Sequence, residues 1–309
     1  MTTLLFTHAA CLEHDPGQYH PEAPARLKSV LDALAAPEFA ALLRREAPAV
    51  AIDDLTRVHP PRFVERLLAA VPDSGHVAID ADTVMSPQSG EAALRAAGAV
   101  AAAVDAVIGG EADNAFCAVR PPGHHACPSR AMGFCLFNNV AVGALRARQV
   151  HGLKRVAVVD FDVHHGNGTQ DCFWDDGTLF YGSTHQFPFY PGTGASGETG
   201  AAGNIVNVPL PPMSGSQAFR LGMTRVLLPA LDAFAPELLL ISAGFDAHRS
   251  DPLAQLLLDE ADYTWITERL VEIAQRHASG RVVSTLEGGY DLQALGASAA
   301  AHVRVLMSV

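Results

Sequence analysis

The stretch RVAVVDFDVHHGNG (155–168) joins an apolar run to a polar end, and this pairing decides the fold. Its first part, 155–161, is continuous in apolar residues, which is typical of a parallel strand covered on both faces. Further strands followed by polar clusters are predicted at 115–119, 178–183, 237–243 and 281–286. The carboxyl ends of parallel strands share one edge of the sheet, where ligands bind in open α/β folds. We therefore expect these five clusters to meet there.

Strand-like and helix-like segments alternate along the whole chain. Strands are also predicted at 3–7 and 204–208, and helices at 24–35, 61–70, 88–108, 137–150, 215–234, 258–278 and 292–307. The alternation predicts one α/β domain over residues 1–309, with a parallel sheet and helices on both faces. The glycine-rich segment 191–203 is interpreted as a loop within this domain, because strands continue on both sides of it.

Composition and charge exclude several classes of function. The 309 residues are 49% hydrophobic and carry a net charge of −12, which argues against nucleic acid as a partner. The alanine-rich segment 91–108 contains three charged residues and is predicted to be a helix rather than a membrane span. The N-terminal sequence lacks a signal-peptide pattern, and the five cysteines form no C-x-x-C pair. We expect reduced thiols and a cytoplasmic protein.

Asp162 and His164 are spaced to bind one metal ion. At the end of a strand, residues two apart point in the same direction. Asp246, which follows the apolar strand at 237–243, is the best candidate for a third ligand. Taken singly, Asp162 suits a helix cap or an ion pair, and His164 suits a buried hydrogen-bonded histidine. Together they indicate three protein ligands with an open position, as in catalytic zinc sites, although Fe²⁺ or Co²⁺ would also suit such ligands.

The histidine pair of RPPGHHA (120–126) is suited to moving protons beside that metal. Histidine side chains ordinarily titrate near neutral pH, so His124 and His125 would serve as general base and acid. Asp160 and Asn167 are the candidate partners that would give the two imidazoles different basicities. Tyr290, in LEGGYDL (286–292), has a hydroxyl that would donate to a developing oxyanion.

The ordered motifs resemble those of one known family. They are HPEAPAR (20–26), RPPGHHA (120–126), GFCLFNN (133–139), VVDFDVHHGNGT (158–169), PGTG (191–194), SAGFDAHRSDPL (242–253) and LEGGYDL (286–292). They are similar to the zinc-dependent histone deacetylase family, in particular its class II-like bacterial members, which include acetylpolyamine amidohydrolases. The resemblance implies an arginase/deacetylase fold with an eight-stranded parallel sheet, and a single catalytic domain over 1–309.

The resemblance also implies roles for individual residues. Zn²⁺ would be held by Asp162, His164 and Asp246. His125 would be the general base and acid, His124 its charged neighbour paired with Asp160, and Tyr290 the group that polarises the carbonyl. A structural K⁺ would involve Asp160, Ser183 and Thr184, together with Asp162 and His164, partly through backbone carbonyls. The substrate tunnel and its inner cavity would be formed by Gly133, Phe134, Tyr190, Leu253 and Arg26.

The implied reaction is removal of an acetyl or other acyl group from a lysine ε-amine of a protein or peptide. Many relatives carry Phe at the position of Tyr190, so the polarity of the tunnel here would differ. Polyamine-selective relatives can carry a glutamate at the position of Leu253, and its absence favours acyl-lysine. Another acid, such as Asp82, could replace that glutamate, so an acetylated polyamine or another small amide stays open.

The motifs disfavour two other classes of function. An arginase-like ureohydrolase binds two Mn²⁺ ions and needs more aspartate ligands than the single Asp246 of SAGFDAH supplies. A non-catalytic binding protein of the family should have lost a ligand, a histidine or the tyrosine, and all of them are present. Neither the oligomeric state nor the acyl group follows from these motifs, and a homo-oligomer stays open.

Overall fold

The computed structural model describes residues 2–308 and contains ten strands and eleven α-helices in that range. The strands are β1 (Thr3–Thr7), β2 (Leu43–Glu46), β3 (Val77–Ala78), β4 (Val84–Met85), β5 (Asn114–Cys117), β6 (Val156–Asp160), β7 (Leu179–Gln186), β8 (Ile205–Leu210), β9 (Leu238–Ala243) and β10 (Val282–Leu286). The helices are α1 (Ala10–Glu13), α2 (Pro24–Ala33), α3 (Ile52–Leu55), α4 (Pro61–Ala69), α5 (Ser89–Ile108), α6 (Asn139–Gln149), α7 (Asn167–Phe173), α8 (Ser216–Gly222), α9 (Leu228–Phe234), α10 (Glu260–His277) and α11 (Leu292–Ser308). A 3₁₀ turn covers Pro37–Phe39, and a π-helical segment covers Met223–Leu227.

Eight strands form one parallel sheet in the order β2-β1-β5-β10-β9-β6-β7-β8. Every residue of β5, β6, β9 and β10 is buried, so both faces of the central sheet are covered by helices. The predicted fold class is therefore confirmed: the protein is a single α/β domain around an eight-stranded parallel sheet. Strands β3 and β4 form a separate antiparallel pair.

The short elements α1, α3, α7, β3 and β4 were not predicted, and the main sheet and its long helices differ from the sequence prediction at two places. The edge strand β2 was missed because its residues, LRRE, are all exposed and show no apolar run. The single helix predicted at 215–234 is divided into α8, the π-helical segment and α9. Pro229, near the start of α9, has no backbone N–H to donate, and the helix widens in the turn before it.

The strand order brings the polar clusters together. β6 lies between β9 and β7, and β10 lies on the other side of β9. The register pairs Asp160 with Ser242 on β9 and Ala243 with Leu286 on β10, so β6, β9 and β10 end at about the same level, whereas β7 continues past Ser183 to Gln186. The segments that follow β6, β9 and β10 therefore converge at one edge of the sheet.

The alanine-rich segment that was predicted to be helical lies within helix α5. α5 is mostly buried and packs closely on α6, and Gly98 lies against the backbone of Pro48. No helix within residues 2–308 is both long and apolar enough to cross a membrane. All five cysteines are free thiols, four of them buried.

Candidate active site

Asp162, His164 and Asp246 converge into one buried cluster. Their ligand atoms lie within 4.8 Å of one another. Nδ1 of His164 is 3.1 Å from Oδ1 of Asp162 and 3.1 Å from Oδ2 of Asp246. Within residues 2–308 this is the one group of at least three His, Cys, Asp or Glu side chains close enough to share a metal ion.

Backbone amides hold the two carboxylates of this cluster in place. Asp162 accepts hydrogen bonds from the N–H groups of His164 and Gly288, at 2.9 and 2.8 Å. Asp246 accepts one from the N–H of Val163, at 2.8 Å. Because these donors belong to the segments after β6 and β10, the fold itself orients the oxygen atoms toward a common centre.

His124 and His125 lie beside this cluster and have different partners. Their ring centroids are 4.0 Å apart, and the ring of His125 is 5.9 Å from that of His164. Nδ1 of His124 donates to Oδ2 of Asp160 at 2.9 Å. Nδ1 of His125 donates to Oδ1 of Asn167 at 2.8 Å. Both pairings expected from the sequence are therefore present.

The two imidazoles differ in basicity. Burial disfavours the charged form of His124, but the carboxylates of Asp160 and Asp162 raise its pKa well above the usual value. Burial lowers the pKa of His125 well below the usual value, and the charge of His124 adds to this effect. The arrangement favours a charged His124 beside a neutral His125, whose Nε2 is then an acceptor.

A cavity of about 240 Å³ opens onto these side chains. It is lined by Asp82, His125, Gly133, Phe134, His164, Tyr190, Leu253 and Tyr290. Four of the predicted tunnel residues and Tyr290 are thus placed around one cavity. The Tyr190 ring packs edge-on against His125, with centroids 5.1 Å apart, and Phe134 lies 6.0 Å from the ring of Tyr290.

Gly133 and Phe134 both have positive φ angles, +57° and +67°. A Cβ at Gly133 would come within 2.5 Å of the ring of His125. Only glycine therefore allows the tunnel wall to approach this histidine so closely.

Arg26 was predicted with the tunnel residues but does not line this cavity. Its side chain is fully buried, and its guanidinium lies 4.7 Å from the ring centroid of Tyr290. It donates to the carboxylate of Glu22 and to the carbonyls of Glu287 and Gly289, at 2.9, 2.5 and 2.6 Å. These bonds hold the guanidinium against the face of the Tyr290 ring, and Arg26 is not among the residues that line the cavity.

The residues expected at a potassium site also lie together. Asp160 and Ser183 are paired across β6 and β7, and Thr184 follows on the same strand. The N–H groups of Asp162 and His164 donate to the carboxylates of Asp160 and Asp162, at 3.1 and 2.9 Å. The buried carboxylate of Asp160 and the hydroxyls of Ser183 and Thr184 are oxygen groups of the kind that suits a hard cation.

Several residues that shape the site were not found by sequence reasoning. The buried carboxylate of Glu287 accepts from the N–H groups of Gly123 and His124, at 2.7 and 3.2 Å, and burial raises its pKa to about 7. Tyr181 donates to Asp160 at 3.0 Å. Glu22 and Asp251 are also buried and bonded near the site. The sequence did contain a sign of three of these residues, because Glu22, Asp251 and Glu287 all lie within the motifs that resemble the family.

Comparisons with known proteins identify the family. The sequence model of the protein family described as "Histone deacetylase domain" matches residues 20–306 of this chain. The histone deacetylase-like amidohydrolase of Pseudomonas aeruginosa is 44% identical over 274 residues, covering 87% of this chain and 71% of its own. A probable deacetylase of Archaeoglobus fulgidus is 37% identical over 299 residues, covering 95% and 82%.

A solved structure agrees with these matches. The crystal structure of the HDA15 HD domain superposes with a TM-score of 0.93 at 36% identity, covering 99% of this chain and 88% of that one. The match extends over nearly all of the sheet and its helices. This chain belongs to the histone deacetylase family and is an amide-hydrolysing enzyme of the deacetylase/amidohydrolase type.

Proposed function

We propose that this enzyme is a Zn²⁺-dependent lysine deacylase, which hydrolyses the amide between an acetyl group and a lysine ε-amine. One observation carries the proposal: His164 of the Asp162–His164–Asp246 cluster lines the same cavity as His125 and Tyr290. A metal, a base and an oxyanion donor are what amide hydrolysis requires in one place.

The residues fit a zinc ion. Two carboxylates and one imidazole form the mixed oxygen and nitrogen set that catalytic zinc takes from proteins, with a position left for water or substrate. Their backbone hydrogen bonds fix the carboxylates before any metal is bound. When bound, Zn²⁺ would supply an activated water and polarise the substrate carbonyl. The single described cluster also favours one metal per chain over an arginase-like pair.

His125 is assigned the proton transfers. With Nδ1 committed to Asn167, its neutral ring has an unprotonated Nε2 toward the cavity side. That nitrogen would take a proton from the attacking water and pass it to the leaving amine. His124, paired with Asp160, would stay charged and stabilise the negative charge that develops nearby. Asp160 and Asn167 therefore act by orienting the two histidines.

Tyr290 is assigned the oxyanion contact. It lines the cavity, and burial raises the pKa of its phenol well above the ordinary value. The hydroxyl is therefore protonated near neutral pH and would donate to the carbonyl oxygen as negative charge builds there. Arg26, behind the ring, supports this side chain from the protein interior.

The cavity suits a linear acyl-amine. Its volume, about 240 Å³, lies below the usual range for ligand pockets, and the rings of Phe134 and Tyr190 form its walls. Aromatic walls of this kind would pack against the methylene groups of an extended lysine side chain. Leu253 at the cavity offers an apolar contact there rather than a charge, which favours acyl-lysine in a protein or peptide.

A second substrate class is supported by Asp82, which lies in the wall of the same cavity. Oδ1 of Asp82 accepts from the N–H of Gly133 at 3.0 Å and from the hydroxyl of Thr83 at 2.8 Å. The carboxylate is thus fixed in place, and it would attract a distal ammonium such as that of acetylputrescine. An acetylated polyamine or another small cationic amide is therefore the second candidate.

The test is acetate release by zinc-loaded enzyme from an acetyl-lysine peptide and from acetylputrescine, assayed side by side with wild type and Asp82→Asn. We expect a higher kcat/KM for the peptide, little changed by the substitution. A preference for acetylputrescine that Asp82→Asn abolishes would transfer the assignment to polyamines. Hydrolysis of neither substrate, in protein shown to contain one zinc per chain, would refute the proposal.

A potassium site is proposed in addition to the zinc site. K⁺ would bind at Asp160, Ser183 and Thr184, together with backbone carbonyls of Asp162 and His164, and stabilise the turn that carries the zinc ligands. Its test is whether K⁺ raises the melting temperature of wild type more than that of Ser183→Ala.

A cytoplasmic location and the absence of nucleic-acid partners stay predictions from composition.

A further inference from the structure

Asp251 connects the segment of Tyr290 to that of Leu253, and both residues line the cavity. It lies in the loop after β9, and its side chain is buried, with 7% of the residue exposed. Oδ2 accepts a hydrogen bond from the N–H of Tyr290 at 2.7 Å. Oδ1 accepts one from the N–H of Leu253 at 3.0 Å. Each carboxylate oxygen is thus bonded to a different backbone segment that contributes a side chain to the cavity.

The segment before Tyr290 provides little conformational restraint of its own. Gly288 and Gly289 precede the tyrosine, and Gly289 has a φ of +125°, which side-chain-bearing residues rarely adopt. Helix α11 begins only at Leu292. The peptide between Gly289 and Tyr290 is held from both sides: Arg26 donates to the Gly289 carbonyl at 2.6 Å, and Asp251 accepts the Tyr290 N–H. Of these two anchors, Asp251 is the one that also bonds the segment of Leu253.

We infer that Asp251 is a positioning residue, which sets the place of the Tyr290 hydroxyl in the cavity relative to Leu253, another lining residue. The inference rests on the proposed function, because it assigns Tyr290 the oxyanion contact. A displacement of about 1 Å at a catalytic group can lower the rate by about 100-fold, so a backbone anchor of this kind matters for catalysis. A carboxylate has an acceptor oxygen for each of the two N–H groups, whereas the amide of asparagine has only one.

The metal site does not depend on this bridge. Asp246 lies five positions earlier in the same loop, but the N–H of Val163 holds its carboxylate independently. We therefore expect Asp251→Asn to bind zinc with the stoichiometry of wild type. The asparagine keeps the shape of the side chain, offers one acceptor oxygen, and turns its amino group toward the other N–H.

The kinetic test compares an acetyl-lysine peptide with the same peptide carrying a trifluoroacetyl group. Fluorine makes the carbonyl more electrophilic, so its hydrolysis depends less on the hydrogen bond from Tyr290. We expect Asp251→Asn to lower kcat by about 10- to 100-fold for acetyl-lysine and by several-fold less for trifluoroacetyl-lysine. Tyr290→Phe should show the same bias, and adding Asp251→Asn to it should cause little further loss.

The control is Asp259→Asn. Asp259 also accepts a backbone N–H, at 3.1 Å from Ala261, but it caps α10 and does not line the cavity. Asparagine is an equally good N-cap, so we expect unchanged kinetics on both substrates. Asp251→Ser, which is smaller and neutral, is the second variant and should reproduce the bias of Asp251→Asn.

Hydrogen exchange provides a readout that does not need activity. Peptides containing Tyr290 and Leu253 should exchange faster in Asp251→Asn than in wild type, while the peptide containing Asp246 should not. Equal losses on both substrates, full additivity with Tyr290→Phe, or unchanged exchange at Tyr290 would each overturn the inference. If wild type hydrolysed neither substrate, the proposed function would fail, and the exchange data alone would decide whether Asp251 couples the two segments.

Discussion

Gly288 lies so close to Asp246 that a Cβ atom at this position would overlap with Oδ2 of the aspartate. The same Cβ would also crowd Oδ2 of Asp162, which accepts the N–H of Gly288 at 2.8 Å. The first glycine of LEGGYDL is therefore required for close approach to the metal cluster, and its role differs from the conformational role of Gly289.

Gly288→Ala is expected to abolish stable zinc binding. The added methyl group must displace one or both carboxylates, and displacement breaks the arrangement that three ligands need around one ion. Zinc per chain after gel filtration, measured by elemental analysis, should fall from near one to near zero. Gly197→Ala is the control, because a Cβ at Gly197 meets no atom within 4 Å. Full zinc occupancy in Gly288→Ala would show that the cluster is not the zinc site.

Tyr290→Phe is expected to lower kcat by about 10²–10³-fold, the usual loss when one oxyanion donor is removed. The ring is retained, so its contacts with Arg26 and Phe134 should persist, and zinc content should match wild type. Steady-state kinetics on an acetyl-lysine peptide measure the loss. A variant with near-wild-type turnover would exclude the hydroxyl from the reaction.

The sequence allowed the metal cluster and the histidine pair to be predicted because their signals are local. Asp162 and His164 are two residues apart at a strand end, and strand order alone then brings Asp246 to them. The positions of Arg26 and Asp251 could not be predicted in this way. Each depends on hydrogen bonds to a segment distant in the chain, and neither spacing nor periodicity records such a bond.

The edge strand β2 likewise could not be predicted from the pattern of apolar residues. All four of its residues are exposed and three of them are charged, so the strand forms because β1 offers a free edge for pairing. The resemblance to a known family implied eight strands, whereas the apolar pattern alone predicted seven. Pattern reasoning finds buried strands well and exposed edge strands poorly, since burial produces the pattern.

Glu22→Ala is expected to destabilise the protein strongly. Glu22 is fully buried and bonds to both Arg26 and Arg120, so its removal would leave two guanidinium groups without their carboxylate. Breaking a buried ion pair by deleting one partner typically costs about 3–5 kcal/mol. Urea denaturation measures the free energy of unfolding. Glu91→Ala, which removes the exposed partner of Arg95, should change it far less; an equal effect of the two substitutions would contradict the expectation.

Two buried histidines are expected to make stability fall as the pH is lowered. Burial lowers the pKa of His59 to about 4 and that of His302 to about 3. His59 donates to the carbonyl of Pro128 and accepts the N–H of Asn138, both at 3.0 Å, as a neutral ring does. The pKa of a histidine in the unfolded chain is about 6.5, so between pH 6.5 and the lower folded values the unfolded chain binds more protons than the folded protein. The contribution of these histidines to the free energy of unfolding is therefore complete above about pH 6.5 and is lost as the pH falls toward 4.

The measurement is the free energy of unfolding in urea at pH 7, 6 and 5, compared between wild type and His59→Gln. Each buried neutral histidine contributes a slope of up to about 1.4 kcal/mol per pH unit in this range. Glutamine retains a donor and an acceptor but does not titrate, so the variant should have a shallower slope than wild type. If the free energy of unfolding of the two proteins had the same slope against pH, burial would not lower the pKa of His59 as expected.

Asp246→Ala is expected to lose zinc and the stabilisation that zinc provides. Without this carboxylate the cluster retains one aspartate and one histidine, which is too few for a stable protein-bound zinc. A ligand that binds only the folded state stabilises it, by about 2.7 kcal/mol at 100 times the dissociation constant. Added Zn²⁺ should therefore raise the melting temperature of metal-free wild type and of Asp73→Ala, an exposed control, but not that of Asp246→Ala. A zinc-dependent rise in Asp246→Ala equal to that of wild type would place the metal on other residues.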